Sequence, residues 1–331
     1  MSRLNRLLRP MTLLDILDGA FDLYKTNLAV LVGIVAVIYL PIQAMETASR
    51  LLLAGAPEWV PAVINLVYFM FLMVASFLVM GPSMWAISEA YLGHKISVAA
   101  AYRRMLPRFF PFAATYLLWI LALGIPYLFG ALIVGVGIGV MVSMATQGDS
   151  AVMIAIMIAA VLLGVAAMLA GLLLYIALVF TCPSFVAEDR RYFSALKRSW
   201  QLVKGYYWRT LGIALLAIAI VGLVQTAVSI GLLAATGMLT QFVANPQAAT
   251  TGTPYMIYQI GSMLASIVLE PVWLIVVILL YYDLRIRKEG FDLAALAVEM
   301  GYREPEPAVP VSAYVDADAG ATSAEPQPPP E

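Results

Sequence analysis

Between Phe109 and Gln147 the chain runs without one charged side chain. Inside a bilayer every backbone N–H and C=O must find its partner within the protein, and about 20 apolar residues wound as helix cross the ~30 Å hydrocarbon layer. A stretch of this kind restricts the fold to membrane helices. Five others resemble it, giving six expected spans: 28–45, 60–81, 112–143, 151–181, 210–238 and 256–282. Pro126 interrupts the third, which reads either as one kinked, overlong helix or as a re-entrant break at Gly124–Pro126. Only 12% of residues are charged and 63% are hydrophobic, whereas a soluble domain carries about 25% charged residues. Most of this chain must therefore be solvated by lipid. The first long apolar run starts only near Leu28, after three aspartates, so it reads as an uncleaved first span and not as a cleavable signal.

The basic residues order the spans. Arg3, Arg6, Arg9 and Lys25 precede the first. Lys95, Arg103, Arg104 and Arg108 fall between the second and third. Arg190, Arg191, Lys197, Arg198, Lys204 and Arg209 fall between the fourth and fifth, and Arg285, Arg287, Lys288 and Arg303 follow the sixth. Arg50 alone lies in an alternate loop, so all but one of 19 basic residues share a side. By the positive-inside rule that side is the cytoplasm, with both termini there.

Three segments leading into odd-numbered spans share a loose pattern: "ILDGAFDLYKTNLAVLVG", "AAAYRRMLPRFFPFAATYLL" and "SALKRSWQLVKGYYWRTLGIALL". Each is a short amphipathic stretch, an aromatic or basic junction, then a span. In the third, Phe193, Leu196, Trp200, Val203 and Tyr207 form the expected apolar face. The expected fold is an all-α polytopic integral membrane protein, with about six transmembrane helices as three helical hairpins and cytoplasmic amphipathic helices. The hairpins all enter from one side, as parallel repeats. Residues 1–303 form this domain. Residues 304–331, rich in Pro, Ala and acids, read as a disordered cytoplasmic tail.

Polar residues in such a chain are few enough to weigh singly. Lys197, Arg198, Trp200, Lys204, Trp208, Arg285, Arg287 and Lys288 are expected at the membrane surface, where cations meet anionic headgroups and indoles sit at the interface. Tyr281 and Tyr282 are expected to mark the inner interface. Glu270 lies ~20 Å below the inner end of its span by helical rise, and Gln225 in the fifth span lies at similar depth, making it the natural hydrogen-bond partner. An acid at that depth is either a proton or cation relay or a protonated cross-link between helices. Asp15, Asp18 and Asp22 share one face and could hold a divalent cation, but acids near a helix start are favoured without one. His94 and Cys182 stand alone, which excludes sites needing two imidazoles or a disulfide. Gly135, Gly137 and Gly139 suit close helix packing, not nucleotide binding. No catalytic residue, cofactor or metal is expected.

"YYDLRIRKEGFDLAAL" resembles the closing signature of bacterial proteins related to the membrane domain of glycerophosphoryl diester phosphodiesterase. "ALKRSWQLVKGYYWRTLGI" resembles that family's internal segment before a span, and "LLDILDGAFDLYKTN" its opening. The resemblance covers nearly all of residues 11–302. It implies a free-standing membrane module of a bacterial inner membrane. In some relatives the module is fused to a soluble phosphodiesterase barrel with a His-Arg opening and metal-binding glutamates. Those motifs are not found in this sequence, so the resemblance carries over no hydrolase activity and no catalytic residue. The expected function is a non-enzymatic scaffold, regulator or lipid-interacting module. The alternative is a permease or flippase for lipids or small solutes using Glu270 and Gln225. Expected partners are membrane lipids, with anionic headgroups at the cytoplasmic face, and a membrane or cytoplasmic protein; nucleic acid is not expected.

Overall fold

A computed structural model describes residues 11–53, 57, 59–144, 150–238 and 252–289. Among the described residues the regular structure is helical: α1 Leu13–Leu52, α2 Trp59–Tyr91, α3 Val98–Met105, α4 Phe109–Met144, α5 Ser150–Leu178, α6 Thr181–Glu188, α7 Phe193–Val203, α8 Tyr207–Ala235 and α9 Thr253–Glu289. Six segments are long and apolar enough to cross a membrane: Leu13–Ser49, Ala62–Tyr91, Val98–Ser143, Ala151–Glu188, Tyr207–Ala235 and Thr253–Glu289. The protein is a multi-pass membrane protein. The helices pack into one unit, Arg9–Lys288.

Each odd-numbered span is entered through a short helix and a break, and each break has its own local cause. α1 begins at a reciprocal cap: the Asp15 N–H donates to Thr12 Oγ1 (3.2 Å) and the Thr12 N–H to Asp15 Oδ2 (2.9 Å). It kinks at Asn27 (φ −118°, ψ 15°), whose side-chain amide donates to the Leu23 carbonyl (3.0 Å). α3, capped by Ser97, meets α4 through one 3-10 turn, Leu106–Arg108, that holds Pro107. α7 meets α8 at Gly205, whose φ of +91° favours glycine. The third span is one continuous helix through Pro126 and not a re-entrant pair.

α4 and α5 form the closest hairpin. Gly130, Val134 and Gly137, at turn spacing on α4, face Ala167, Gly164 and Ala160 of α5. A Cβ built on Gly137 would stand 2.4 Å from the Ala160 Cβ, and one on Gly164 would stand 2.4 Å from Val134 Cγ2. Gly135 and Gly139 have open space instead, so one glycine of the three carries the close approach.

α9 is the hub. Half of its most apolar window is buried, against 22% or less in the other spans. Ile267 packs with Val35 of α1 and Val79 of α2. The Tyr24 hydroxyl of α1 donates to the Val268 carbonyl (2.7 Å), and Leu232 of α8 meets Gly261.

Candidate functional site

Consecutive residues on a helix point about 100° apart, so a run of eight addresses every direction around its axis. The run Tyr281–Lys288 at the end of α9 makes contacts all round. Asp283 is fully buried. It accepts from the Met11 N–H (2.7 Å), from Arg209 of α8 (2.9 Å) and from Arg287 one turn on (3.0 Å). Both guanidinium groups also donate to the Met11 carbonyl, at 2.6 and 2.7 Å. Tyr282 and Ser88 of α2 share a hydroxyl–hydroxyl bond (2.5 Å), and the Tyr282 ring stacks on Tyr91. The Tyr281 hydroxyl donates to Glu188 at the end of α6 (2.6 Å). Glu188 in turn is paired with Arg198 of α7 (2.8 Å), Arg285 (3.5 Å) and Arg190 (3.7 Å). The Lys288 ammonium donates to the Gln201 and Lys204 carbonyls at the C-terminus of α7, where a cation suits the helix dipole.

Two buried or half-buried carboxylates thus gather five arginines, so these seven described side chains carry a formal net positive charge. A low-dielectric surround makes each of these bonds costly to break, because either partner left alone is a desolvated charge.

This arrangement changes the reading of the surface residues. Arg198, Arg285, Arg287 and Lys288 are tied to other protein groups. Tyr281 and Tyr282 are core residues, 0% and 4% exposed, and do not line the interface. On α7 the buried face is Ala195, Ser199, Leu202 and Val203, while Phe193 and Trp200 of the expected apolar face are 72% and 53% exposed. Beside lipid, a large aromatic loses nothing by facing outward, and close helix contact selects small residues. Ser199 shows this directly: its hydroxyl donates to the Ala177 carbonyl (2.9 Å) and accepts from the Phe180 N–H (3.0 Å). Lys197, Trp200, Lys204 and Trp208 remain exposed around this core. Glu188, Asp283 and Ser199 escaped the sequence reading. For the two acids the available signal was a carboxylate set beside cations directly after an apolar run.

The mid-span residues do not meet. The Gln225 side chain donates to the Ser262 carbonyl (3.4 Å), and no hydrogen bond among the described residues joins it to Glu270. Ser262 and Glu270 are separated by ~12 Å along α9 at 1.5 Å per residue. Counting depth along two helices gave them one level, but the helices do not run in register.

Asp15 is used as a cap, while Asp18 and Asp22 are exposed. Among the described residues no three His, Cys, Asp or Glu side chains are grouped to hold a metal. His94 Nδ1 lies 2.6 Å from Glu89 on the surface, and Cys182 is buried. The segment with Leu293, Leu296 and Met300, expected to lie along the membrane, and the tail 304–331 fall outside the described residues.

Compared with known proteins, residues 11–284 match a family described as Domain of unknown function (DUF7847). No curated protein and no solved structure matches the chain.

Proposed function

The chain belongs to the DUF7847 family, and from that premise we propose a non-enzymatic membrane module whose basic end is a rigid platform for anionic lipid. The observation that carries this reading is the pair of arginine-rich networks on Asp283 and Glu188. They cross-link the ends of α1, α6, α7, α8 and α9 into one unit that retains net positive charge. Exposed Lys197, Lys204, Trp200 and Trp208 border it, and each lysine near an anionic leaflet contributes about 1 kcal/mol. In this proposal the basic end faces the cytoplasm of a bacterial inner membrane, and the platform can also seat a protein partner. The resemblance to the glycerophosphoryl diester phosphodiesterase membrane domain supports the same reading, since some relatives join such a module to an enzyme.

A permease or flippase built on Glu270 and Gln225 is less well supported, because Gln225 donates to the Ser262 carbonyl, about two helical turns from Glu270 along α9.

The test is lipid retention by the full chain, read by native mass spectrometry from mixed nanodiscs. Anionic phospholipid should be enriched over zwitterionic lipid, and Lys197→Gln with Lys204→Gln should lower that enrichment about thirtyfold. Equal retention of both lipids by the unaltered protein would end this reading, whatever the variants do.

A further inference from the structure

Where α2, α3 and the start of α4 meet, their side chains leave an open apolar crevice. Leu78 and Pro82 of α2, Tyr102 of α3, Leu106 of the 3-10 turn, and Phe109 and Phe112 of α4 line it. The lining holds a single hydroxyl, that of Tyr102, and this donates to the Ile34 carbonyl of α1 (2.6 Å). The crevice therefore asks no hydrogen bond of an occupant. Its wall is also fixed in place. Ala101 and Met105 of α3 are buried, and a Cβ built on Gly81 would stand 2.9 Å from the Met105 Cε, so α3 lies close on α2. Leu106, 63% exposed, leaves one side open.

The place of the crevice selects what fills it. Its residues belong to segments long and apolar enough to span, so hydrocarbon and not water reaches the open side. An acyl chain is a flexible apolar rod, and it gains dispersion contacts by lying along aliphatic and aromatic side chains. The crevice also begins where α4 begins: Phe112 lies ~6 Å along the helix from Arg108. Residues of α3 step round its axis by 100°. With Ala101 and Met105 inward and Tyr102 toward the crevice, Arg103 and Arg104 point away from the core. Both are exposed, and neither has a hydrogen-bond or ion-pair partner among the described residues. A guanidinium group binds phosphate oxygens in pairs. Two free guanidinium groups beside a dry apolar crevice thus match the two parts of an anionic phospholipid.

We propose that this crevice is a discrete site for an anionic phospholipid, with one acyl chain lying along Leu78, Leu106 and Phe112 and the phosphate held by Arg103 and Arg104. The site uses no member of the Asp283 and Glu188 networks and neither lysine of the platform, so it stands or falls apart from that reading.

The experiment uses the full chain in nanodiscs of phosphocholine lipid. One set is doped with phosphatidylglycerol and the other with phosphatidylcholine, each carrying the same diazirine-bearing tail. After illumination the adducts are located by peptide mass spectrometry, with exposed Leu162 of α5 as the reference for ordinary surrounding lipid. Relative to Leu162, adducts at Leu78 and Phe112 should favour phosphatidylglycerol. Arg103→Gln and Arg104→Gln should each lower that preference about fivefold, the worth of one cation at an anionic headgroup. Leu106→Trp fills the crevice from its exposed side, so it should remove the adducts at Leu78 and Phe112 and spare those at Leu162. Lys197→Gln with Lys204→Gln should leave the crevice adducts unchanged; their loss in that variant would return the effect to the platform and end the case for a separate site. Equal labelling by the two lipids, or a preference that both arginine variants leave intact, means surrounding lipid only and overturns the proposal. So does an absence of crevice adducts, and a dimer found in that case would give the crevice to a second copy.

Discussion

Asp283 is the more deeply enclosed of the two acids that organise the basic end. It holds a backbone N–H and two guanidinium groups with no exposure to solvent. Asp283→Asn keeps the shape and removes the charge, leaving Arg209 and Arg287 to share the Met11 carbonyl. Loss of one partner of a buried ion pair costs about 3–5 kcal/mol. The variant should melt well below the unaltered protein in detergent, and a melt within a degree or two would show the network to be dispensable. Glu270→Gln should behave oppositely. Its side chain is no member of either network, so the melting temperature should hold; a large drop would reveal a structural charge at mid-depth. The sequence displayed Glu270 plainly, as an acid inside an apolar run. It displayed Asp283 less plainly, because an acid followed by Arg285, Arg287 and Lys288 at a span's end reads as one more surface charge. Only the arrangement of neighbouring helices shows which of the two is enclosed.

Close approach between elements is decided by single atoms. Gly137→Val would drive a side chain into Ala160 and force α4 and α5 apart, costing about 1–3 kcal/mol as overpacking does. Gly135→Val, two residues away, points at open space and should be tolerated. Thermal melts of the pair check this, and equal destabilisation would contradict the register of the hairpin. Gly205→Ala meets no neighbour within 4 Å, so its cost of about 1 kcal/mol should come from the positive φ alone. The helices and their short preludes were legible in the sequence, since length, proline, cap residues and charge are local facts. The inward face of α7 was legible only in part: Val203 of the expected face is buried, and Phe193 and Trp200 are exposed. Apolar periodicity identifies a buried face when the outside is water. When the outside is lipid, Phe193 and Trp200 are as well placed outward as inward, and the small Ala195 and Ser199 take the contact.

For the whole molecule, six spans and the one-sided arginines and lysines lead to a definite insertion. Engineered cysteines near Gln247 should react with an impermeant reagent applied outside intact cells, and cysteines near Lys95 should not, in a Cys182→Ser background. The reverse labelling would invert the proposed orientation. Span number was readable because hydropathy measures fitness for lipid. Span order around a centre was not, because the mean hydropathy of α9, 2.6, falls inside the range of the other spans, 2.3 to 2.9, and the most apolar span is the least buried.

The bonds from Met11 to Asp283 and Arg287 join positions more than 270 residues apart. During synthesis the start of the first helix emerges long before its anchor exists, and it must wait at the membrane while five further crossings are made. A nascent chain halted after Ala235 would hold a loose beginning and an unclaimed Arg209, a form that quality-control proteases can recognise as unfinished.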